Sequence, residues 1–470
     1  MSRRRVTSPQ RHLIPALGRA GPPPPGITWN QPRDTWTKST TDDLTAFLNQ
    51  LTRVNMAPNG AVTAVYGDPS YAEDGTNGRV MVRIPRFWVK TTVSRPNVYN
   101  WQIAPTATEG FILHPAFYQR NHVGNPVDYI YVSAYEADLI PAASGVHQLH
   151  SRAGFQPMNG YSSTGPNIGG GVWVLDFDAG QNPPAIDDVV QADVGGDGES
   201  DQWIVLGCEL TAGAWDGSGV GKLWIRQINN AAPTDWDDND TITNITQSNV
   251  LGDIDGAVAP VHITAQDAED WANRVGLGWG TTNIWTWSAV KLLMLMDWGD
   301  FHGQTRLARG AVDMTSPHGF NGVLTGSHNI NANLDATLTG AGDDGLAGEA
   351  EDGKRPVTWR GLENPWGNLF HYLIGYNSTD AEYRIVKKEG LADTKIPAAL
   401  PAGSYDASDG PPLGHDSAVE GFISDFEFEP LLDLLFIPSA VAGDGVTHIP
   451  DKFWSHSPAS ICLPHAGSCW

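Results

Sequence analysis

The chain is poor in cysteine and in charge, and it has no long apolar run. Its only cysteines are Cys208, Cys462 and Cys469. Three thiols cannot all pair within one chain, so neither a disulfide framework nor a tetrahedral cysteine zinc site follows from them. Charged residues make up 17% of the sequence, too few for a disordered acidic chain. The net charge of −24 argues against binding nucleic acid, which needs a basic face toward the phosphates. It fits solubility, resistance to self-association, cation binding or a salty medium. No run of about 18 apolar residues occurs, so no membrane insertion by a helix is expected. Arg3, Arg4 and Arg5 are not followed by the apolar core of about 7–15 residues that a secretion signal needs, and none is expected. A Ser-His-Asp elbow, a P-loop and a Gly-x-Gly-x-x-Gly opening a βαβ unit are all lacking. No enzyme is expected.

Glycine (52), proline (33) and tryptophan (18) are plentiful, and 40% of residues are hydrophobic. Together they favour a turn-rich α+β or β protein with aromatic packing. Residues 1–30 read as a basic arm containing Pro22-Pro-Pro-Pro25, either a tail or an anchor that orders on a larger assembly. Residues 31–60 read as a helical docking segment. Its helix is expected over 40–55, where Leu44, Phe47, Leu48 and Leu51 follow Thr41-Asp-Asp with helical spacing. It could pack on its own domain or on a neighbouring subunit. Residues 61–135 are rich in β-branched and aromatic residues and read as strands.

Residues 157–261 hold short apolar runs between turn clusters: Gly171–Leu175, Gln202–Leu206 and Lys222–Arg226. They predict an inserted β-sandwich or small β-barrel module. Two helices are expected next, one capped by Thr264 and one from near Ile284 to Trp298, the second apolar nearly all round and therefore buried. Residues 310–356 and 388–420 read as long loops. Phe426–Phe428, Leu431–Ile437 and His448–Trp454 read as the last core strands.

The densest run of special residues is Trp359-Arg-Gly-Leu-Glu-Asn-Pro-Trp-Gly-Asn368. Trp359 and Trp366 carry large buried areas and an N–H needing a partner. Gly361 and Gly367 suit turns that a Cβ resists. Pro365 keeps Asn364 out of the helical region. Glu363 and Asn364, if buried, must be hydrogen-bonded. Trp359, Glu363, Asn364, Trp366 and Asn368 therefore read as a structural core motif, a rigid loop folded back into the interior.

This run resembles the G-x-E-N-x-x-G-N signature of the C-type-lectin-like fold, in its formylglycine-generating-enzyme branch. The closest likeness is to tail and fibre proteins of tailed viruses. Met81–Trp88, Gly110–Phe117, Asp128–Glu136, Ser151–Pro157, Trp285–Leu293 and Gly421–Phe428 resemble other elements of that family, in its order. The resemblance implies an α+β fold: a C-type-lectin-like domain over 61–156 and 262–470, carrying the module at 157–261 as an insert. It implies a virion structural protein that displays a receptor-binding domain toward a host-surface glycan or protein. Expected partners are other virion proteins, the host receptor and further copies of the chain in a homo-oligomer, three by expectation. The expected location is the virion: tail, baseplate, fibre or capsid surface. A purely architectural virion part is one alternative. A copper oxidase of the formylglycine-generating type is another, because Cys462 and Cys469 lie where that family places a copper-binding pair. A three-histidine iron site, known in the same family, is rejected: His114, His122, His147 and His150 show no H-x-x-x-H-x-E arrangement. The family usually adds a strand or two beyond the point where Cys469-Trp470 stands, so completion by another chain is one expectation.

Candidate binding residues are Trp215, Trp224 and Trp236, since a tryptophan face packs on the apolar face of a pyranose; core packing is the competing reading. No cofactor is expected. Calcium is the candidate ion, at Asp193, Asp197 and Asp201 in one loop and Asp235 and Asp237 in another, because calcium takes hard oxygens from flexible loops. A solvated acidic loop is the competing reading. Glu363-Asn364-Pro365 has the wrong order for a lectin calcium motif.

Overall fold

In the computed structural model the described residues are 24–118, 126–140, 148–153, 157, 172–185, 188–193, 200–227, 239–255, 259–260, 265–307, 310, 325, 356–367, 373–378, 382–386, 405–407, 413, 419–429, 432–442, 449 and 452–455. The sheets are antiparallel and the helices few, an α+β protein that is mostly β.

Alternation of apolar and polar residues builds the first sheet. Strands β1 (Gly26–Asn30) and β2 (Thr35–Ser39) form a hairpin. Helix α1 (Asp42–Leu48) follows, with Thr41 capping the Leu44 N–H. Next come β3 (Thr52–Met56), β4 (Val62–Val65), β5 (Arg79–Pro85), β6 (Trp88–Arg95), β7 (Val98–Ala104), β8 (Ile112–Leu113) and β9 (Tyr129–Ser133). They sort into a five-stranded sheet, β2-β1-β7-β6-β8, and a four-stranded sheet, β4-β3-β5-β9. A short hairpin of β10 (Asp138–Ile140) and β11 (Gln148–His150) sits beside them.

The five-stranded sheet has two unlike faces. Ile27, Trp29, Tyr99, Trp101 and Ile103 point into the core. The intervening positions face outward. Register aligns them across the strands as Ser39–Gly26–Gln102–Lys90 and Thr37–Thr28–Asn100–Thr92, followed by Thr35–Asn30–Val98–Arg95.

The last residues of the stretch expected as an arm, and the first of the expected helical segment, are strands of this sheet. Gly26–Asn30 is a strand, and 31–60 holds one seven-residue helix among strands. The helix ends at Leu48, short of the expected 55, because Thr52–Met56 pairs with Arg79–Arg83 in the sheet. Residues 1–23 lie outside the described residues.

Residues 172–260 form strands β12 (Val172–Gly180), β13 (Val189–Asp193), β14 (Ser200–Ala212), β15 (Gly219–Gln227), β16 (Thr241–Asn244), β17 (Asn249–Ile254) and β18 (Ala259–Pro260). Pairing runs β15-β14-β13-β16-β17-β12, and β12 pairs back to β15. The ring of six strands closes, which removes free edges. Leu175, Phe177, Val190, Trp203, Val205, Leu223, Ile225, Ile242, Leu251 and Ile254 fill it as a core of their own. Outside the barrel, Leu206, Ile204 and Trp224 pack against Leu149, Ala268 and Trp271, which pins it to the rest of the chain.

Helix α2 (Ala265–Asn273) supplies Ala268 and Trp271. Helix α3 runs from Ile284 to Trp298, with Asn283 as its N-cap and Gly299, at φ 95, as its C-cap. Ala289, Val290, Leu292, Leu293, Leu295 and Met296 are fully buried. The helix is the axis around which the five-stranded sheet, β5, α1 and residues 357–366 and 432–437 assemble one core. Helix α4 (Gly303–Arg306) follows. The remaining strands are short: β19 (Thr358–Trp359), β20 (Leu362–Glu363), β21 (Tyr376–Ser378), β22 (Tyr383–Val386), β23 (Tyr405–Ala407), β24 (Val419–Phe426), β25 (Pro438–Val441) and β26 (Lys452–Ser455). Leu432–Ile437, expected as a strand, is a turn tied by Leu435 N–H to Leu432 O.

Candidate functional site

Strands β19 and β20 make a two-residue hairpin whose corners, Arg360 (φ 45) and Gly361 (φ 87), are both left-handed. Such a turn matches strand twist but usually takes Asn-Gly; here an arginine occupies the first corner. Asp297, in the last turn of α3, holds it there. Arg360 Nε donates to Asp297 Oδ2 at 2.7 Å and Nη2 to Oδ1 at 3.2 Å. Trp359 Nε1 donates to the same Oδ2 at 2.9 Å. The two-pronged pairing of arginine with carboxylate is the strong form of this bond. At the second corner, Gly361 O accepts Arg53 Nε at 2.7 Å.

The next residues are tied to the bend between β9 and β10. Glu363 N–H donates to Ala134 O at 2.8 Å, and Asn364 Nδ2 to Glu136 Oε2 at 3.2 Å. Asn364 is itself left-handed at φ 49, and its N–H bonds Val357 O at 2.7 Å. Trp366 meets Trp298 edge to face at 5.5 Å. Residues 356–367 are buried throughout. Asn368 lies outside the described residues.

Beneath the hairpin lies an ionic cluster. Arg53 is fully buried, with Nη1 3.0 Å from Glu73 Oε1 and 2.7 Å from the Tyr135 hydroxyl. Tyr135 donates in turn to Glu73 Oε2 at 2.8 Å. Burial holds the Tyr135 phenol far above its ordinary range. Each of these charges compensates another, as a buried charge requires. The cluster and the hairpin form a structural unit.

The tryptophans singled out in the sequence lie apart from this unit. Trp215 is half-buried and stacks on Phe177 at 5.4 Å across the barrel end. Trp224 is half-buried between the barrel and α2. Each spends ring area on its own protein. Trp236 lies outside the described residues, as do Asp197, Asp235 and Asp237. Asp193 and Asp201 stand on the paired strands β13 and β14, but Asp193 is opposite Ser200 and Asp201 opposite Ala192; their side chains lie outside the described set. No group of three or more His, Cys, Asp or Glu is placed to hold a metal ion among the described residues. Cys208 is half-buried, and burial pushes its thiol up to about 12. Cys462 and Cys469 lie outside the described residues.

A second cluster went unnoticed in the sequence. Asp425, Glu427, Phe428, Glu429 and Asp433 are all half-buried around Tyr99 and Trp101. Tyr99 donates to Asp425 Oδ1 at 3.0 Å, and Trp101 Nε1 to Asp433 O at 2.9 Å. Thr91 Oγ1 donates to Asp433 Oδ2. Burial pushes the Asp433 carboxyl up to about 6. Burial, then repulsion from Glu429 and Asp425, raises Glu427 as well. Phe436, left-handed at φ 54 and buried, closes the turn. Lys291 secures it by donating to Leu435 O at 2.9 Å. A bulky residue at positive φ is costly, so its surroundings must enforce it. The strict alternation of acids and rings in Asp425-Phe-Glu-Phe-Glu429 was the available signal.

A scan of protein-family models and a search of curated proteins found no match to the chain.

Proposed function

We propose that the chain is a structural protein of a tailed virus that displays a receptor-binding domain of the C-type-lectin-like fold, with the barrel at 172–260 as its insert. Binding toward a host-surface glycan or protein is adhesion, strengthened by several copies acting together. The calcium sites, the homo-oligomer of three and the virion location belong to this same proposal.

One observation carries the reading. The run with the most specialised residues, 356–367, is buried along its whole described length and bonded to Asp297, Arg53, Ala134 and Glu136. Its polar groups serve the interior, which leaves recognition to the outer faces of a rigid scaffold, the arrangement that tolerates surface variation without loss of the core. No helix among the described residues is long and apolar enough to cross a membrane.

The test is competition. Purified chain added in excess is expected to lower adsorption of the virus to its host cells in a saturable way. Adsorption that stays constant at every concentration of added chain removes the adhesion reading in favour of a purely architectural part.

A further inference from the structure

We infer that the outward face of the five-stranded sheet is a binding site for a neutral, hydroxyl-rich polysaccharide. The site rests on the adhesion reading above and names its ligand class. Its centre is the cross-strand row Thr37–Thr28–Asn100–Thr92, one residue from each of β2, β1, β7 and β6. Gln102 and Lys90 stand side by side in the next row. Thr37 and Thr92 are exposed, and Thr28 and Asn100 half-buried.

Neighbouring strands lie about 4.8 Å apart, so a row of four spans about 14 Å along a straight line. That is an extended track, suited to a linear chain and not to a compact small molecule. Every side chain in the row both donates and accepts hydrogen bonds, as sugar hydroxyls do. The middle of the row is already ordered, because Asn100 Nδ2 donates to Thr28 Oγ1 at 2.8 Å and to Ile27 O at 3.2 Å. A preformed track loses less freedom on binding.

Charge decides between ligands. The chain carries 53 Asp and Glu, yet none of the three outward rows contains one. Lys90 is half-buried with its ammonium 5.9 Å from the Phe111 ring centre, and Arg95 is at the rim. Two cations on a molecule of net charge −24 do not attract a polyanion against the field of the whole protein. A protein partner would seek a cluster of aromatic anchors; the three rows have none, and the next row, Ala104–Trp88–Leu113, offers one half-buried ring, under the Arg86 guanidinium, which suits the apolar face of a sugar as well. A neutral chain of hydroxyls fits what is there.

The experiment uses the full chain and a panel of insoluble neutral polysaccharides (cellulose, curdlan, starch and mannan), with polygalacturonate as the charged control. Retention on at least one neutral matrix is expected, equal at low and high salt, with none on polygalacturonate. The double variant Thr37→Glu, Thr92→Glu is expected to bind that matrix about tenfold more weakly, with an unchanged unfolding midpoint. No retention on any neutral matrix, or equal retention of the double variant, overturns the site. If the double variant still competes with the virus for host cells in either case, adhesion stands and only this site falls. If the unmodified chain fails there too, both fall.

Discussion

Arg53 Nε lies 2.7 Å from Gly361 O, a bond across 308 residues of chain that joins the second sheet to the β19–β20 corner. The same guanidinium neutralises Glu73 and stacks over the Tyr135 ring at 4.6 Å. Removing it leaves Glu73 without its buried partner. Arg53→Met is expected to lose about 3–5 kcal/mol of folding stability, read by denaturant unfolding. A loss within about 0.5 kcal/mol, the range of ordinary surface changes, would remove Arg53 from the account.

Trp366 fills the space between α3 and the loop at Gly310, whose added Cβ would sit 2.8 Å from Trp366 Nε1. Trp366→Ala is expected to cost about 3–5 kcal/mol through the cavity it leaves. Gly310 is at φ 78, so Gly310→Ala meets both backbone strain and the ring, and a loss of about 1–3 kcal/mol is expected. Denaturant midpoints of both variants provide the check.

His114 makes stability depend on pH. Its Nδ1 accepts the Ala116 N–H at 3.2 Å, which assigns the proton to Nε2, 3.3 Å from Ser288 Oγ. Ser288 passes the bond on to Leu434 O at 2.5 Å. Burial pushes the imidazole down to about 3, while the unfolded chain protonates near 6.5. The unfolded state therefore binds the extra proton between those values. The contribution is complete above pH ~6.5 and is lost as pH falls toward 3. Asp433 acts oppositely: with its carboxyl near 6, its contribution is present below pH ~4 and lost as pH rises through 6. His114→Gln is expected to flatten the acid limb of the stability curve by about 1.4 kcal/mol per pH unit. An unchanged slope between pH 6 and 4 would show that His114 does not titrate on unfolding.

Trp224 and Trp271 join the barrel to the body in a small apolar patch with Leu206, Ile204, Leu149 and Ala268. Trp224→Ala is expected to uncouple the two cores, so that calorimetry resolves two unfolding transitions in place of one. A single transition in the variant, at the parent's width, would mean that the barrel does not melt separately.

Local pattern made much of this fold legible. Helix α3 occupies the expected Ile284–Trp298, because a continuous apolar run between Asn283 and Gly299 leaves few alternatives. The strands of the barrel at 172–260 include the runs around Trp173, Trp203 and Trp224. The burial of Glu363 and Asn364 follows from Pro365 and the flanking tryptophans. What sequence alone hid depends on distant partners. Trp29 and Trp36 stack at 5.0 Å in a hairpin, but the preceding prolines made that segment read as an arm. Arg53 looked like one polar residue on a helix. The outward face of the five-stranded sheet needed the register of four strands before its rows existed at all. Leu432–Ile437 is apolar enough for a strand, yet Ser288 and Lys291 draw its carbonyls onto α3 and fold it as a turn.

The most direct test of the claim that Trp359–Gly367 is a structural lock is equilibrium unfolding of Glu363→Ala. Glu363 is 2% exposed, lies in the field of Arg53 and sits beside the Ala134 carbonyl that its backbone binds. The account predicts a stability loss of about 3–5 kcal/mol, the cost of unbalancing a buried charge cluster. An unfolding midpoint equal to that of the unmodified chain would contradict it.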